Sequence, residues 1–584
     1  MKKLSYILLF ATCLVLWQCG PEPLPEPDPD ANPDPAISFI GPSAIEFSEV
    51  AGEGTIYFIS AADWTATPGE DWISVNPTSG SGSGNIVTLT ISCQENTSEQ
   101  PRSGAITLVS GNITQTVAIN QAGAKKPSGP KSTECELTTI NFLPKDNATL
   151  TQTLSFVPKR IRGIGMLLIT FPEDSDITGR VPAFEMSDKA TVLFNGQNVE
   201  SGKTPVDFSG NGTLTVVAED GEHSAAFMVI ARKGDVDIDR RVYNFMSAYN
   251  IPAVSIATTK REKLAYCAAY GLAEVSANNP VYCTTEHLFR LASVSKSLTS
   301  ICILKLCQEG KLSLEDKVFA PGGPLAELYP GTHKPSADEI RVVDLLTHRS
   351  GWTDYSAGTD PVFTGDLRFS GKSLQQRVEY MLTHFAPATP GTIYSYFNLG
   401  FCILGQVIEQ VTGKSYEDYL REVMAEAGAN DIWVSKTPLS QKRDNECIFY
   451  PNSSDGSPYG NDMEVAAACG GVIASAPDLA RVLNAIDYGN TAPDILQSHW
   501  LDEMYLRRTS GNYGLGWWIG SYYLTYCASY HTGALSGSAT LWARGTNGVH
   551  GVILCNSRYD YTDSFNSAMA LVLDNARKRV QEKY

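Results

Sequence analysis

The sequence predicts three folded domains in a row, two all-β sandwiches followed by a larger α/β domain. Short runs of alternating apolar residues fill residues 37–121 and 140–232, and Gly, Ser, Asn and Pro separate these runs. From about Val236 the pattern changes to amphipathic helical runs that alternate with apolar strands. The chain has 584 residues, 43% hydrophobic and 18% charged, so it can build several domains and does not have the composition of a disordered protein.

The first residues have the pattern of an export signal. Lys2 and Lys3 precede the apolar run 7–17, which is too short to span a bilayer. Cys19 follows in LVLWQCG, which resembles a bacterial lipobox, so we expect Cys19 to carry a lipid. The next stretch, GPEPLPEPDPDANPDP, predicts an extended tether. We therefore expect a cell-envelope lipoprotein of the periplasm or outer membrane, anchored through Cys19, with plain secretion as the alternative.

Charge and cysteine content exclude several classes of partner. The formal net charge of −18 argues against nucleic acid and against anionic membrane surfaces as electrostatic partners. The 13 cysteines include no C-x-x-C pair and predict neither a disulfide framework nor a zinc site; Cys267 and Cys283 could pair, but free thiols are the preferred interpretation. The sequence has no H-E-x-x-H, no P-loop and no G-x-G-x-x-G after a strand, so no metal or nucleotide cofactor is implied.

In the first β-domain, apolar and polar residues alternate strictly along VTLTIS, so Val87, Leu89 and Ile91 would face one core. Its stretch DWTATPGEDWISVNPTSGSGSG resembles the BACON module of exported Bacteroidetes proteins. Trp64 and Trp72 within it could form a platform for a glycan, but we favour a role in the core or as part of a spacer. Glycan contact through this domain is therefore only a weak expectation.

The second β-domain follows the linker KKPSGPKSTE. In TLTVVAEDGEHSAAFMVIAR, the turn residues Asp220 and Gly221 separate two runs with a period of two, which predicts a hairpin. We expect an immunoglobulin-like sandwich without chemistry of its own. The two front domains would then be spacers, and a fragment that begins near Gly234 should fold and act alone.

We expect the catalytic residues at the N-terminal end of a buried helix in FRLASVSKSLTSICILKL. The run from Val294 to Cys307 is apolar on most faces, Gly310 ends it, and Ser293 stands at its start. Ser293 and Lys296 are three residues apart and so share one helix face. A serine hydroxyl needs a neighbouring base, and a buried lysine at a positive helix end can become one. The backbone N–H groups of the same helix end can receive an oxyanion.

Two further motifs follow in a known order. Tyr396 and Asn398 stand in YSYFN ahead of a buried helix, and His531, Thr532 and Gly533 start a strand in YHTGALSGSATLWARG. The order S-x-x-K, Y-x-N, H-T-G resembles that of the serine β-lactamase and penicillin-binding DD-peptidase superfamily. LLTHRSGW, GGVIASAPDLA and YGLGWW are similar to its class C β-lactamase and esterase branch. The resemblance covers about 350 residues and implies an antiparallel sheet covered by helices, with a helical insertion.

The resemblance implies a role for each matching residue. Ser293 would be the nucleophile that forms an acyl-enzyme, Lys296 its base, and Tyr396 a partner in proton transfer. Asn398 would hold the lysine and the substrate amide. The backbone N–H groups of Ser293 and Ala534 would form the oxyanion hole. His348 in LLTHRSGW is interpreted as a structural histidine rather than a general base.

The substrate-binding strand would consist of His531, Thr532, Gly533 and Ala534. His531 replaces the lysine that the family places beside a substrate carboxylate, and Phe397 replaces the serine of Y-S-N versions, narrowing the site. An unperturbed histidine gains charge near pH 6.5, so we expect its grip on a carboxylate to strengthen from pH 8 to pH 6.

The sequence thus predicts an exported serine hydrolase acting on a small-molecule or peptidoglycan-derived amide or ester. A β-lactamase, a DD-carboxypeptidase and an esterase remain alternatives, and a catalytically inactive penicillin-binding or sensor protein is the alternative from another class. The expected domains are a signal peptide (1–19), a tether (20–36), a BACON-like β-sandwich (37–122), a linker (123–134), an immunoglobulin-like β-domain (135–233) and a β-lactamase-like domain (236–584).

Overall fold

The computed structural model describes residues 37–40, 44–82, 84–124, 131–276, 279–489, 491, 493–559 and 562–583. The predicted signal peptide, Cys19 and the tether lie outside these residues. Within them, no helix is both long enough and apolar enough to cross a bilayer.

Two sheets form the first β-domain. Their orders are β1-β3-β7-β5 and β2-β9-β8-β4-β6. Trp64 is buried and packs edge-on against Phe58 with ring centroids 4.9 Å apart, while the guanidinium of Arg102 lies 4.2 Å from the ring centroid of Trp72. Trp64 is therefore a core residue. The strands are β1 (Ile37–Ile40), β2 (Ala44–Phe47), β3 (Gly52–Ser60), β4 (Trp64–Pro68), β5 (Ile73–Asn76), β6 (Ser79–Gly80), β7 (Ile86–Cys93), β8 (Arg102–Ser110) and β9 (Ile113–Gln121).

The second β-domain combines a three-stranded sheet, β11-β10-β14, with a six-stranded sheet, β12-β13-β18-β17-β15-β16. Within the larger sheet β13 and β18 run parallel, while its other neighbouring strands are antiparallel. The immunoglobulin-like topology stays a prediction. The strands are β10 (Leu137–Phe142), β11 (Leu154–Phe156), β12 (Lys159–Ile161), β13 (Ile164–Phe171), β14 (Ala183–Met186), β15 (Thr191–Phe194), β16 (Gln197–Val199), β17 (Gly212–Val217) and β18 (Ser224–Lys233).

The C-terminal domain is built on a seven-stranded sheet of order β21-β20-β19-β28-β27-β26-β25, in which all neighbours pair antiparallel. A small sheet, β22-β24-β23, lies apart from it. The strands are β19 (Ala253–Lys260), β20 (Lys263–Glu274), β21 (Val281–Tyr282), β22 (Phe289–Arg290), β23 (Ile432–Val434), β24 (Val472–Ala474), β25 (Trp518–Ile519), β26 (Cys527–Leu535), β27 (Ser538–Gly545) and β28 (Gly551–Cys555).

Helices cover both faces of the large sheet, because its strands are apolar on both sides. Along β19, Val254 and Ile256 belong to the core under α1 and α10, while Ala253 and Ala257 belong to the core that contains α2 and α8. The helices are α1 (Val236–Ala248), α2 (Val294–Gln308), α3 (Val342–Leu346), α4 (Asp354–Ala357), α5 (Leu374–His384), α6 (Asn398–Thr412), α7 (Tyr416–Ala425), α8 (Ala476–Asn484), α9 (Ser498–Tyr505) and α10 (Asp563–Lys583).

The second β-domain shares a core with the C-terminal domain. Leu167 and Ile169 of β13 face the interior of the β-domain, whereas Met166 and Leu168 pack into the core around α1 and α10. The Nη2 atom of Arg162 donates hydrogen bonds to backbone oxygens of the C-terminal domain, at 3.2 and 2.7 Å. The expectation that this domain is only a spacer is therefore wrong, because one face of its sheet is buried against the neighbouring domain.

Candidate active site

The residue before the predicted nucleophile, Ala292, has a strained backbone conformation. The short strand β22 ends at Arg290, and Ala292 then adopts a left-handed conformation with φ of 49°. Such a conformation is costly for a residue with a Cβ atom and persists where the surroundings impose it. It turns the chain so that Ser293 stands at the N-terminal end of α2. The helix runs to Gln308, and Gly310 follows with φ of 69°, a conformation suited to glycine.

Ser293 and Lys296 are in direct contact. The Nζ atom of Lys296 donates a hydrogen bond to Ser293 Oγ at 3.0 Å and another to the backbone oxygen of Cys469 at 2.7 Å. Lys296 is fully buried and Ser293 is 6% exposed. The amine is therefore held against the serine hydroxyl, the position from which a lysine can serve as the base of a serine nucleophile.

Aromatic rings surround the lysine amine. Its Nζ atom lies 4.9 Å from the ring centroid of Tyr396 and 5.9 Å from that of Phe401. The ring of His348 packs against Tyr396 with centroids 4.1 Å apart, and His348 Nδ1 accepts a hydrogen bond from the backbone N–H of Phe397 at 3.1 Å. Burial, followed by the charge of Lys296, holds the pKa of His348 well below its usual range. His348 is thus a neutral side chain that supports the Y-x-N segment.

Asn398 begins α6 beside this group and contacts an acid that the sequence analysis missed. Its Nδ2 atom donates to Asp360 Oδ2 at 2.5 Å, and Asp360 Oδ1 accepts from the backbone N–H of Val362 at 2.8 Å. Phe397 is 1% exposed and packs into the core around α2. The expected narrowing of the site by the Phe397 side chain is therefore not what the structure shows.

The strand β26 runs beside the start of α2. A Cβ atom on Gly533 would lie 2.2 Å from the backbone oxygen of Leu291 and 3.1 Å from the Cβ of Ala292, so only glycine allows this approach. Thr540 of β27 reinforces the contact by donating from Oγ1 to Leu291 O at 2.7 Å. Thr532 and Ala534 flank Gly533 on the same strand, and Ala534 pairs with Ala539. The structure thus brings the H-T-G strand next to Ser293.

His531 is placed differently from the sequence-based expectation. It is 1% exposed, its Nδ1 lies 2.6 Å from the backbone oxygen of Thr532, and its Nε2 lies 2.9 Å from the hydroxyl of Tyr513. Both ring nitrogens therefore have protein partners. Burial, with a further contribution from the charge of Lys296, lowers the pKa of His531 to about 3. The expectation that His531 gains charge between pH 8 and pH 6 is wrong, because its ring is desolvated.

Two contributors to the site had no signal in the sequence: Asp360 lies in an irregular loop, and the carbonyl of Cys469 lies in the π-helical turn Ala467–Gly471. A third, Tyr513, begins the recognised motif YGLGWW, but that motif gave its hydroxyl no role. A backbone oxygen has no residue-type signature, so side-chain patterns could not have revealed that contact. Trp517 stacks on Trp542 with ring centroids 4.7 Å apart and is fully buried, so it belongs to the core.

Comparisons with known proteins identify relatives of this chain. The chain is 28% identical over 219 residues to the D-alanyl-D-alanine-carboxypeptidase/endopeptidase AmpH of Escherichia coli K12, a match of 36% of this chain and 52% of the relative. It is 30% identical over 184 residues to penicillin-binding protein 4* of Bacillus subtilis strain 168, covering 30% of this chain and 37% of the relative. The aligned part thus spans about half or less of these relatives.

Solved structures and family models complete the comparison. An octameric penicillin-binding protein homologue from Pyrococcus abyssi is 25% identical, with a TM-score of 0.47 over 57% of this chain and 76% of that chain. The family model BACON, described as a putative N-terminal binding domain, matches residues 62–122. The β-lactamase family model matches residues 238–574, more than half of the chain. The chain therefore belongs to the β-lactamase family, with a BACON domain in front of its β-lactamase-like domain.

Proposed function

We propose that the C-terminal domain is a serine hydrolase that cleaves an amide or ester through an acyl-enzyme on Ser293. The observation that carries this proposal is the 3.0 Å contact between Lys296 Nζ and Ser293 Oγ, both buried, at the start of α2. A serine beside an amine base has the arrangement that activates a hydroxyl nucleophile.

The proposed reaction has two steps. In the first, the hydroxyl proton of Ser293 passes to the neutral amine of Lys296 while Oγ bonds to the scissile carbonyl carbon. The carbonyl π electrons move to oxygen, and their return expels the leaving group, which takes up the proton. In the second, water gives a proton to the amine of Lys296 as its oxygen bonds to the acyl carbon, and collapse of the intermediate releases Ser293 Oγ, which takes that proton. Tyr396, whose ring lies 4.9 Å from the lysine amine, would help relay the proton.

Backbone N–H groups would stabilise the oxyanion of each step. Ser293 offers its N–H at the positive end of α2, and Ala534 offers one on the strand that Gly533 brings against residues 291–292. Fixed donors aimed at the developing charge need no reorganisation during the reaction. In this arrangement Thr532, Gly533 and Ala534 would hold the substrate in extended form, with His531 as a neutral support behind them.

The charge state of His531 indicates which class of substrate the site would bind. A neutral His531 cannot take the role of a lysine that holds a carboxylate, which favours an uncharged ester or amide over a β-lactam or a D-alanyl peptide. The curated relatives include a D-alanyl-D-alanine carboxypeptidase, so a peptidoglycan-derived peptide is the second candidate. We also propose that the protein is exported and anchored to the cell envelope by a lipid on Cys19; glycan binding by the BACON domain is a weaker proposal.

Two measurements test the hydrolase proposal. A fluorophosphonate probe should label the wild type on the peptide that contains Ser293, and Ser293→Ala should abolish the label. Ser475→Ala is the matched control, because Ser475 caps α8 without a lysine beside it. A panel of a chromogenic cephalosporin, a D-alanyl-D-alanine peptide and a short-chain nitrophenyl ester should show the fastest turnover with the ester. Full labelling of Ser293→Ala would show that another residue is the nucleophile, whereas no turnover despite labelling of the wild type would favour the inactive-binder alternative.

A further inference from the structure

A cavity that contains none of the proposed catalytic residues is lined by three arginine side chains. Arg341, Arg349 and Arg508 line it together with two acids, Glu315 and Asp344. Its volume is about 290 Å³, at the lower end of the range of about 300 to 1,000 Å³ for small-molecule pockets. Most such pockets are mainly apolar, so a wall made largely of charged side chains indicates a small charged ligand.

Arg341 is already committed to both acids of the cavity. Its Nε donates to Asp344 Oδ2 at 3.0 Å and its Nη2 donates to Asp344 Oδ1 at 2.9 Å. Its Nη1 donates to Glu315 Oε2 at 2.6 Å. The bidentate contact between a guanidinium and a carboxylate is a strong one. These three side chains therefore satisfy one another and form the compensated part of the wall.

Arg349 differs, because no carboxylate pairs with it within the described ranges of the chain. Its Nη1 donates to the backbone oxygen of Arg508 at 3.2 Å, which brings these two arginines together. The backbone of Arg349 is fixed on both sides: its N–H donates to the oxygen of Asp344 at 2.7 Å, and its oxygen accepts from the N–H of Gly391 at 2.8 Å. The guanidinium of Arg349 thus extends from a well-held point and has N–H groups left for a ligand.

Arg508 has a donor without an acceptor. Its Nη2 pairs with Glu503, which is outside the cavity lining, whereas its Nε is buried and has no hydrogen-bond partner in the described part of the chain. A buried N–H without an acceptor is costly, and a bound anion would supply the missing acceptor. With Glu503 counted, Arg341 contacts two carboxylates, Arg508 contacts one and Arg349 contacts none. One more negative charge would therefore be favoured beside Arg349.

We propose that Arg349 and Arg508 form a binding site for a small ligand with a single carboxylate, separate from the acyl-enzyme site. The planar N–H groups of a guanidinium match the two oxygens of a carboxylate. A singly charged group is favoured over a phosphate dianion, because Glu315 and Asp344 in the same wall would repel a second negative charge. The site does not involve Ser293, so this inference goes beyond the proposed hydrolase and stands independently of it.

The test uses trifluoroacetate, a small carboxylate whose ¹⁹F signal broadens when it binds a protein. The full chain is titrated at about pH 7 and constant ionic strength, where the carboxylate is ionised. The wild type should bind trifluoroacetate saturably and should not bind trifluoroacetamide, the uncharged match. Acetate should displace the probe about tenfold more strongly than inorganic phosphate does. Stronger displacement by phosphate would overturn the choice of a carboxylate, and no saturable binding by the wild type would overturn the site itself.

Variants of the two arginines locate the binding. Arg349→Gln should raise the Kd for trifluoroacetate by about tenfold or more, as for the loss of one charge-assisted hydrogen bond, and Arg508→Gln by about threefold or more. Arg349→Lys keeps the charge without the planar N–H groups, so its Kd should lie between those of the wild type and Arg349→Gln.

Arg507→Gln is the control variant, because Arg507 is the exposed neighbour of Arg508 and does not line the cavity. It should leave the Kd unchanged. Binding of trifluoroacetate should also persist after a fluorophosphonate has reacted with Ser293. An unchanged Kd in Arg349→Gln, or loss of binding when the fluorophosphonate occupies Ser293, would place the carboxylate elsewhere and contradict this site. Neither outcome bears on whether Ser293 is the nucleophile.

Discussion

At the scale of single residues, the proposed chemistry depends on how the amine of Lys296 is held. The amine has a serine hydroxyl and a carbonyl oxygen as hydrogen-bond acceptors and two aromatic rings nearby. These contacts fix the position of the amine beside the serine hydroxyl. The carbonyl of Cys469 also points the amine at Ser293, because one of the three hydrogens of a protonated amine is already committed to it.

Removing this amine should slow acylation. We expect Lys296→Ala to reduce the rate of fluorophosphonate labelling and ester hydrolysis by about 10² to 10⁴ fold, the range for a general base. Lys305→Ala is the matched control, since Lys305 lies on the same helix but pairs with Glu426 away from the site. It should keep the wild-type rates. A loss smaller than about tenfold in Lys296→Ala would show that another group takes the proton.

His531 should make the protein sensitive to acid. Its pKa of about 3 in the folded chain lies below the value of about 6.5 for an unfolded histidine. Between these values the unfolded state binds the additional proton, so the free energy of unfolding falls as pH decreases from about 6.5 toward 3, by at most about 1.4 kcal/mol per pH unit for one proton. The stability is fully present above pH 6.5.

The variant His531→Gln isolates this contribution. Its free energy of unfolding, measured by urea denaturation from pH 7 to pH 4, should depend less steeply on pH than that of the wild type. The difference in slope should correspond to the uptake of at most one proton on unfolding. Asp354, whose pKa burial raises, titrates in both proteins and so cancels in the difference. The pKa of buried His348 is lowered mainly by desolvation and only in part by His531, so it should rise slightly in the variant. Identical slopes would mean that His531 has the same pKa in the folded and unfolded states.

At the scale of elements, the contact between β26 and the start of α2 brings together the two N–H groups of the proposed oxyanion hole. Neither element can do this alone, because one N–H comes from each. The contact needs a residue without a side chain at Gly533, a hydroxyl at Thr540 and the left-handed turn at Ala292. These three features lie on different segments and are satisfied together only in the folded domain.

Adding one methyl group should disrupt this contact. We expect Gly533→Ala to push β26 away from Leu291 and to lower kcat for the nitrophenyl ester by about 10² fold or more, as for the loss of one oxyanion donor. The overpacking should cost about 1 to 3 kcal/mol of stability. Gly331→Ala serves as control, since a Cβ there would meet no atom within 4 Å. Near-normal turnover by a folded Gly533→Ala would remove Ala534 from the oxyanion hole.

At the scale of the whole molecule, β13 joins two domains because both of its faces are buried. Its apolar sequence IGMLLITF fits a strand between two cores. The buried contact continues through Tyr243, whose hydroxyl donates to the backbone oxygen of Met166, and through Thr170, which donates to Asp239 at 2.8 Å. The preceding domain therefore completes one of the outer layers of the C-terminal domain.

A fragment that begins at Gly234 should consequently be destabilised and prone to aggregation. The sharper test is Leu168→Ala, which should lower the stability of the catalytic domain by about 2 to 5 kcal/mol. The measurement follows ester hydrolysis against urea concentration, so activity reports on the catalytic domain alone. Leu89→Ala, in the separate core of the first β-domain, should leave the midpoint unchanged. A stable and fully active fragment would show that the shared core contributes little.

The sequence alone determined the parts of the site that are local along the chain. Helix geometry places residues three apart on one face, so Ser293 and Lys296 had to meet once α2 formed. The order of the three motifs indicated the family, and the alternation of apolar residues predicted the two β-domains and the change to an α/β domain at about Val236. These features need only neighbours in sequence.

Only the tertiary structure decided what lies around those residues. The carbonyl of Cys469 is 173 residues from Lys296, and Asp360 is 38 residues from Asn398. The pKa of His531 depends on how completely distant segments exclude water from its ring, which no local pattern encodes. For the same reason β13 read as one strand of a separate sandwich, since a period of two shows that a strand has two faces but not which domain covers the second.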